Sequence, residues 1–134
     1  MMQGAPELIV IDTSALMALL LGEPGADEIA ALLGSEESLS ISAGTLAEAL
    51  IVAERRGLQE EMSQLLEGLS VDVDELGAAG AVAVAQAYSA WGKGVHPAGL
   101  NFGDCFAYAT AKTSGARLLF VGDDFSKTDI VPAL

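Results

Sequence analysis

A single cysteine, Cys105, and a single histidine, His96, stand in a chain of 134 residues. One thiol cannot close an internal disulfide, which agrees with a reducing, cytoplasmic compartment. One Cys and one His are also too few for a common zinc site. Aromatic residues make up only 5% of the chain, so a core must be built mainly from Ala, Val, Leu and Ile. Basic residues are scarce: six Lys and Arg face nineteen Asp and Glu, a net charge of −13. The broad basic footprint of most nucleic-acid binders is therefore missing. Most of the excess acid reads as a device that keeps an apolar domain soluble. Long apolar runs are missing too, since none reaches the roughly 18 residues that span a bilayer. Residues 15–21 are too few, and the Ala- and Gly-rich stretch 76–88 is broken by Gln86. Residues 1–7 carry no basic residue ahead of an apolar stretch, so no signal peptide is expected.

What is present is a hydrophobic share of 51%, enough for a real core, in a length that suits one α/β domain over residues 1–134. Residues 8–11, Leu-Ile-Val-Ile, read as a buried strand ending at Asp12. A short helix follows, capped by Thr13 or Ser14, and then a Gly-Glu-Pro-Gly loop at 22–25. A helix over 26–33 is closed by Gly34. The alternating Ser-Leu-Ser-Ile-Ser at 38–42 predicts a second strand, and 43–56 a helix ending at Gly57. Further helices are expected over 59–67, ending at Gly68, over 76–91 and over 101–114, the last capped by Asn101 with Asp104 three residues on. Strands are expected at 69–73 and 118–121, and the tail 129–134 suits a short edge strand. Strands that alternate with helices argue for a mainly parallel sheet covered on both faces.

Ligands of such sheets gather at the carboxyl ends of the strands. Asp12 ends the first strand, and Asp123 and Asp124 follow the fourth. Asp104 lies in a first helical turn, and Glu48 in the first half of the helix after the second strand. Carboxylates brought together raise one another's pKa unless a cation joins them. Oxygen ligands suit Mg²⁺ or Mn²⁺, which activate a bound water and offset charge on a phosphate. Each acid also has a plain structural reading. Asp12 and Asp104 serve as helix caps or dipole partners, Glu48 as a solvated helix residue, and Asp123-Asp124 as a turn. Spacing alone leaves both readings open.

The motifs in order resemble a known family. Val10-Ile-Asp12-Thr-Ser-Ala15 looks like the opening strand of PIN domains with its first metal-binding Asp. Thr45-Leu-Ala-Glu48 looks like their Thr-x-x-Glu segment. Leu100-Asn-Phe-Gly-Asp104-Cys-Phe-Ala-Tyr108 resembles the helix with the third acid, and Leu118-Leu-Phe-Val-Gly-Asp-Asp124-Phe125 the last strand and its acidic turn. Phe125-Ser-Lys-Thr-Asp129-Ile fits the ending of VapC-like toxins. In one respect the chain departs from the pattern: Gly122 fills the slot where many members carry the fourth acid. Asp124 is then the expected fourth acid, with Asp123 as its substitute and Asp129 outside the first set.

The resemblance implies a three-layer α/β/α sandwich with four or five strands. It also implies an endoribonuclease toxin that depends on Mg²⁺ or Mn²⁺, forms a homodimer and is neutralised by a VapB-like antitoxin. Asp12, Glu48, Asp104 and Asp124 would hold the metal and carry catalysis, leaving a 5′-phosphate and a 3′-hydroxyl. Thr13 or Ser14 would orient Asp12 or a metal water. Lys93 and His96, in a loop before the Asp104 helix, would contact RNA, with Arg55-Arg56 as a second basic patch. Asn101 would orient Asp104 or a phosphate, besides capping its helix. Apolar surface on residues 15–33 and 46–52 would serve the dimer or the antitoxin. Other readings are a PIN-like domain that only binds protein, a haloacid-dehalogenase phosphatase and a receiver-like signalling domain. The phosphatase needs an Asp where Ser14 stands, and Val73-Asp74 poorly matches a receiver's phospho-acceptor site.

Overall fold

The structure is a computed structural model that describes residues 7–35 and 37–134. Residues 1–6, on which most of the signal-peptide reading rests, lie outside the described part. Four strands form one parallel sheet. They are β1 (Leu8–Ile11), β2 (Ser38–Ser42), β3 (Asp72–Asp74) and β4 (Arg117–Leu119), in the spatial order β3-β2-β1-β4. The helices are α1 (Thr13–Leu21), α2 (Ala26–Leu33), α3 (Ala43–Arg55), α4 (Gln59–Leu69), α5 (Ala78–Trp91) and α6 (Phe102–Ser114). This is the expected α/β sandwich. Among the described residues no helix is long and apolar enough to cross a membrane.

Alternation along the strands supplies two cores. Ile9, Ile11, Leu39, Ile41 and Leu119 point to one face, where they meet Leu16, Ile29, Ala49, Ala53 and Met62 of α1–α4. Val10 and Leu118 point to the other and meet Val84 and Ala87 of α5, Cys105, Ala107 and Tyr108 of α6, and Phe125. Burial on both sides is what a central parallel sheet requires. Cys105 is a packing residue: burial raises its thiol to about 11, and the Asp104 charge adds to that rise. The apolar surface expected in excess on residues 15–33 is largely consumed, since Ala15 to Ala18, Ile29 and Leu33 are buried. On α3, Leu50 and Ile51 remain exposed.

Several boundaries differ from the sequence reading. Helix α1 is capped by Asp12, not by Thr13 or Ser14, and starts at Thr13. Helix α4 does not stop at Gly68. Met62, Leu65, Leu66 and Leu69 form an i, i+3, i+4, i+7 stripe against the first core, and holding Leu69 on that stripe outweighs the single glycine. Strand β3 is thereby displaced to Asp72–Asp74, paired with Ser40 to Ser42. Strand β4 ends at Leu119, because the next backbone groups turn toward the start of α1. The tail makes one bridge, Leu118 to Pro132, rather than a strand.

Candidate metal and active site

Strand β1 lies between β2 and β4. The chain leaves β1 toward β2 on one side and returns through β4 on the other, so the order reverses beside β1. A crevice at the carboxyl ends of the strands opens at such a reversal. Three of the acids are carried to it by neighbouring elements: Asp12 from the end of β1, Glu48 from the helix after β2, and Asp124 from the turn after β4. Asp104 enters from the first turn of α6.

Asp12 is 5% exposed. Its Oδ2 accepts from the Ser14 backbone N–H at 3.1 Å and from the Ser14 hydroxyl at 2.6 Å. Its Oδ1 is buried with no partner at all. Burial raises its pKa and the nearby Glu48 charge adds to the rise, against the lowering by the Ser14 and Thr13 donors. Asp104 is held in a capping box: its backbone N–H donates to Asn101 Oδ1 at 2.8 Å, and its Oδ2 accepts from the Asn101 N–H at 3.0 Å. Burial first, and then the charges of Asp12, Asp124 and Glu48, push its carboxyl up to about 6.

The hydroxyls divide differently from expectation. The Thr13 hydroxyl donates to Glu48 Oε1 at 2.7 Å, so Thr13 orients Glu48 and not Asp12. Ser14 does orient Asp12, and its oxygen also accepts from the Val121 N–H at 3.0 Å, which ties the end of β4 to the site. Of the acidic pair, Asp124 is the one whose charge is felt at Asp104. Asp123 turns its carbonyl to Ser126 and closes the turn. Asp129 is held elsewhere, accepting from the Tyr108 hydroxyl and pairing with Lys112 at 3.1 Å. The Trp91 indole donates to the same Tyr108 oxygen at 2.8 Å. No sequence motif announced this chain of contacts. His96 Nδ1 accepts from the Ala98 N–H, and its ring packs edge-on to Trp91, so His96 organises its own loop. The exposed Lys93 is fixed by its backbone N–H on Leu100 O. Among the described residues, no hydrogen bond or ion pair joins Lys93 or His96 to the four acids. Asn101 is accounted for as the cap.

Among the described residues no three Asp, Glu, His or Cys side chains are drawn together closely enough to hold an ion as they stand. The acids face one another within Coulomb range, with one buried oxygen of Asp12 left free. That donor set is all oxygen, and burial with the neighbouring charges raises Asp12 and Asp104, so its chemistry would suit a hard divalent cation better than zinc.

The raised carboxyl of Asp104 has a consequence for stability. Between about pH 4 and pH 6 the unfolded chain has released this proton and the folded chain still holds it, so the group's contribution to stability falls as pH rises through that window. Asp12 acts in the same direction. Asp104→Asn keeps a capping oxygen and removes the titration. Thermal melts of metal-free protein between about pH 4 and pH 6 should therefore show a smaller decline in the variant than in the wild type. Parallel declines would show that the site does not perturb Asp104.

The family model for the PIN domain matches residues 9–131. Ribonuclease VapC30 of Mycobacterium tuberculosis is 42% identical over 125 residues, which cover 91% of this chain and 95% of that protein. In fold the chain is similar to the crystal structure of M. tuberculosis VapC20, described as a sarcin-ricin loop cleaving toxin. The TM-score is 0.74 at 19% identity, covering 92% of this chain and 96% of that one. A toxin–antitoxin complex from Klebsiella pneumoniae is similar at a TM-score of 0.69 and 19% identity, covering 90% and 92%. The chain therefore belongs to the PIN-domain family and, within it, to the VapC ribonucleases.

Proposed function

We propose that residues 1–134 form a single PIN domain acting as a divalent-metal-dependent endoribonuclease, the toxin of a toxin–antitoxin pair in the cytoplasm. The observation that carries this reading is the convergence of acids far apart in sequence: Asp12 is buried with one oxygen unpartnered, and the charges of Asp12, Glu48 and Asp124 all reach Asp104. Asp104, raised to about 6 by burial and then by its acidic neighbours, has no ion-pair partner among the described residues, and a bound cation would supply one. Asp12, Glu48, Asp104 and Asp124 would hold Mg²⁺ or Mn²⁺. A bound ion would supply an activated water and neutralise charge on the scissile phosphate. The chain's own part is to fix those oxygens: Ser14 holds Asp12, Thr13 holds Glu48, and Asn101 holds Asp104.

The relatives' names support RNA as substrate and an antitoxin as partner. Substrate must approach a chain of net charge −13, so local cations matter. Lys93 and Arg55-Arg56, all exposed, are the contacts we assign to RNA. Exposed Leu50, Ile51 and Phe102 offer apolar surface to a second copy or to the antitoxin. A cationic antitoxin side chain, Arg above all, suits the acidic crevice in place of the metal. The test is cleavage of a structured RNA by the purified protein. We expect cleavage with Mn²⁺ or Mg²⁺ and none in excess chelator. Equal cleavage in chelator would remove the metal from the reading. No cleavage of any RNA with either ion would favour a PIN-like module that only binds protein.

A further inference from the structure

Helices α3 and α6 meet through two glycines set against each other's side chains. A Cβ on Gly44 of α3 would run into the ring of Phe106 on α6. A Cβ on Gly103 of α6 would run into the carboxylate of Glu48 on α3, and would lie 2.9 Å from its carboxyl carbon. The contact is reciprocal: each helix offers a bare backbone one turn from the side chain it presents. Glu48 is held on its other side by the Thr13 hydroxyl at 2.7 Å. The carboxylate thus lies between a threonine of α1 and a glycine of α6.

We propose that Gly103 is a positioning residue for Glu48: its missing side chain leaves the space in which the Glu48 carboxylate faces Asp104 and Asp12. The inference rests on the carboxylate site proposed above and adds to it a residue with no polar atom of its own in its side chain. The chemistry explains why the effect falls on function more than on folding. Gly103 is helical, and Ala is the better helix former there. What an added methyl meets is the far end of a flexible side chain, which can swing away. Swinging away breaks the bond to Thr13 and takes an oxygen out of the acidic crevice. Glycine in a helix is thereby retained against its propensity by the room that a neighbouring acid needs.

The test is titration of the metal-free protein with Mn²⁺ alone, followed by calorimetry, with thermal melts run beside it. Gly103→Ala should melt no lower than the wild type and bind Mn²⁺ at least about tenfold more weakly, the scale of losing an orienting partner at a metal site. Glu48→Asp withdraws the carboxylate by one methylene. In the Gly103→Ala, Glu48→Asp double variant, Mn²⁺ affinity should return to that of Glu48→Asp alone, because the shorter acid no longer meets the methyl. A glycine needed only for the helix would give independent losses that multiply, and that result overturns the proposal. Equal Mn²⁺ affinity in Gly103→Ala and wild type overturns it while leaving the metal site intact. A wild-type protein that takes up no Mn²⁺ overturns the metal site and this inference with it.

Discussion

Asp12→Asn should lower RNA cleavage by at least about a hundredfold while raising the melting temperature of the metal-free protein. Orienting groups around a metal are commonly worth about 10–100-fold, and a direct ligand should be worth no less. The gain in stability has a separate source. Asp12 is the most buried of the four acids, one of its oxygens has no donor, and its negative charge faces that of Glu48. An amide in its place is neutral. Its oxygen still accepts from Ser14, so the cap of α1 survives. Its NH₂ turns a repulsive contact with the remaining acids into an attractive one. Relief of an unpaired buried polar group is worth roughly 1–3 kcal/mol. Opposite movement of activity and stability is the mark of a group kept for function at the expense of the fold. The check is a fluorescent RNA cleavage assay paired with thermal melts. A variant both inactive and less stable would make Asp12 a structural cap whose loss disturbs the site. A variant that still cleaves normally would take Asp12 out of the chemistry.

Much of this arrangement is written in local sequence, and the reasons it is legible are physical. An apolar β-branched run such as Leu-Ile-Val-Ile has no stable place except a covered strand, and β1 lies where that run stands. Asn101 and Asp104 sit at capping-box spacing, and the box forms. Asp12 and Asp104 stand out because a strand end and a first helical turn are positions that a parallel sheet turns toward its crevice, whereas Glu48, mid-helix, is singled out with the others only by the resemblance to PIN domains. What could not be read was set by tertiary contact. Gly68 looked like a terminus, but Leu69 belongs to a stripe whose value appears only against the first core. Thr13 and Ser14 are adjacent and chemically alike. Which hydroxyl meets which acid depends on how α1 lies against α3, and the answer is Glu48 for Thr13. Asp129 carried a charge in a plausible place, yet Tyr108 and Lys112 claim it from across α6. Glycines report least of all, because a close approach depends on the partner.

The turn after β4 offers the sharpest separation of anchor from acid. Phe125 is 2% exposed, is the largest fully buried side chain, and packs against Phe120 with ring centroids 5.1 Å apart. Phe125→Ala should lose about 3–5 kcal/mol, from burial forfeited and a cavity left behind. Native domains hold only about 5–15 kcal/mol in total, so that is a large fraction of the stability. Asp124 beside it is exposed, and a surface change there should stay within about 0.5 kcal/mol. Denaturant titration of Phe125→Ala and Asp124→Asn should thus give a large loss and almost none. RNA cleavage should fall in both: in the first because the turn loses its hold on the second core, in the second because the crevice loses a carboxylate. A small stability loss in Phe125→Ala would mean that the turn is fixed by its backbone contacts to Ser126 and Thr128 instead. Full cleavage by Asp124→Asn would move the fourth acid to Asp123. It would also mean that the charge felt at Asp104 from Asp124 is incidental to the reaction.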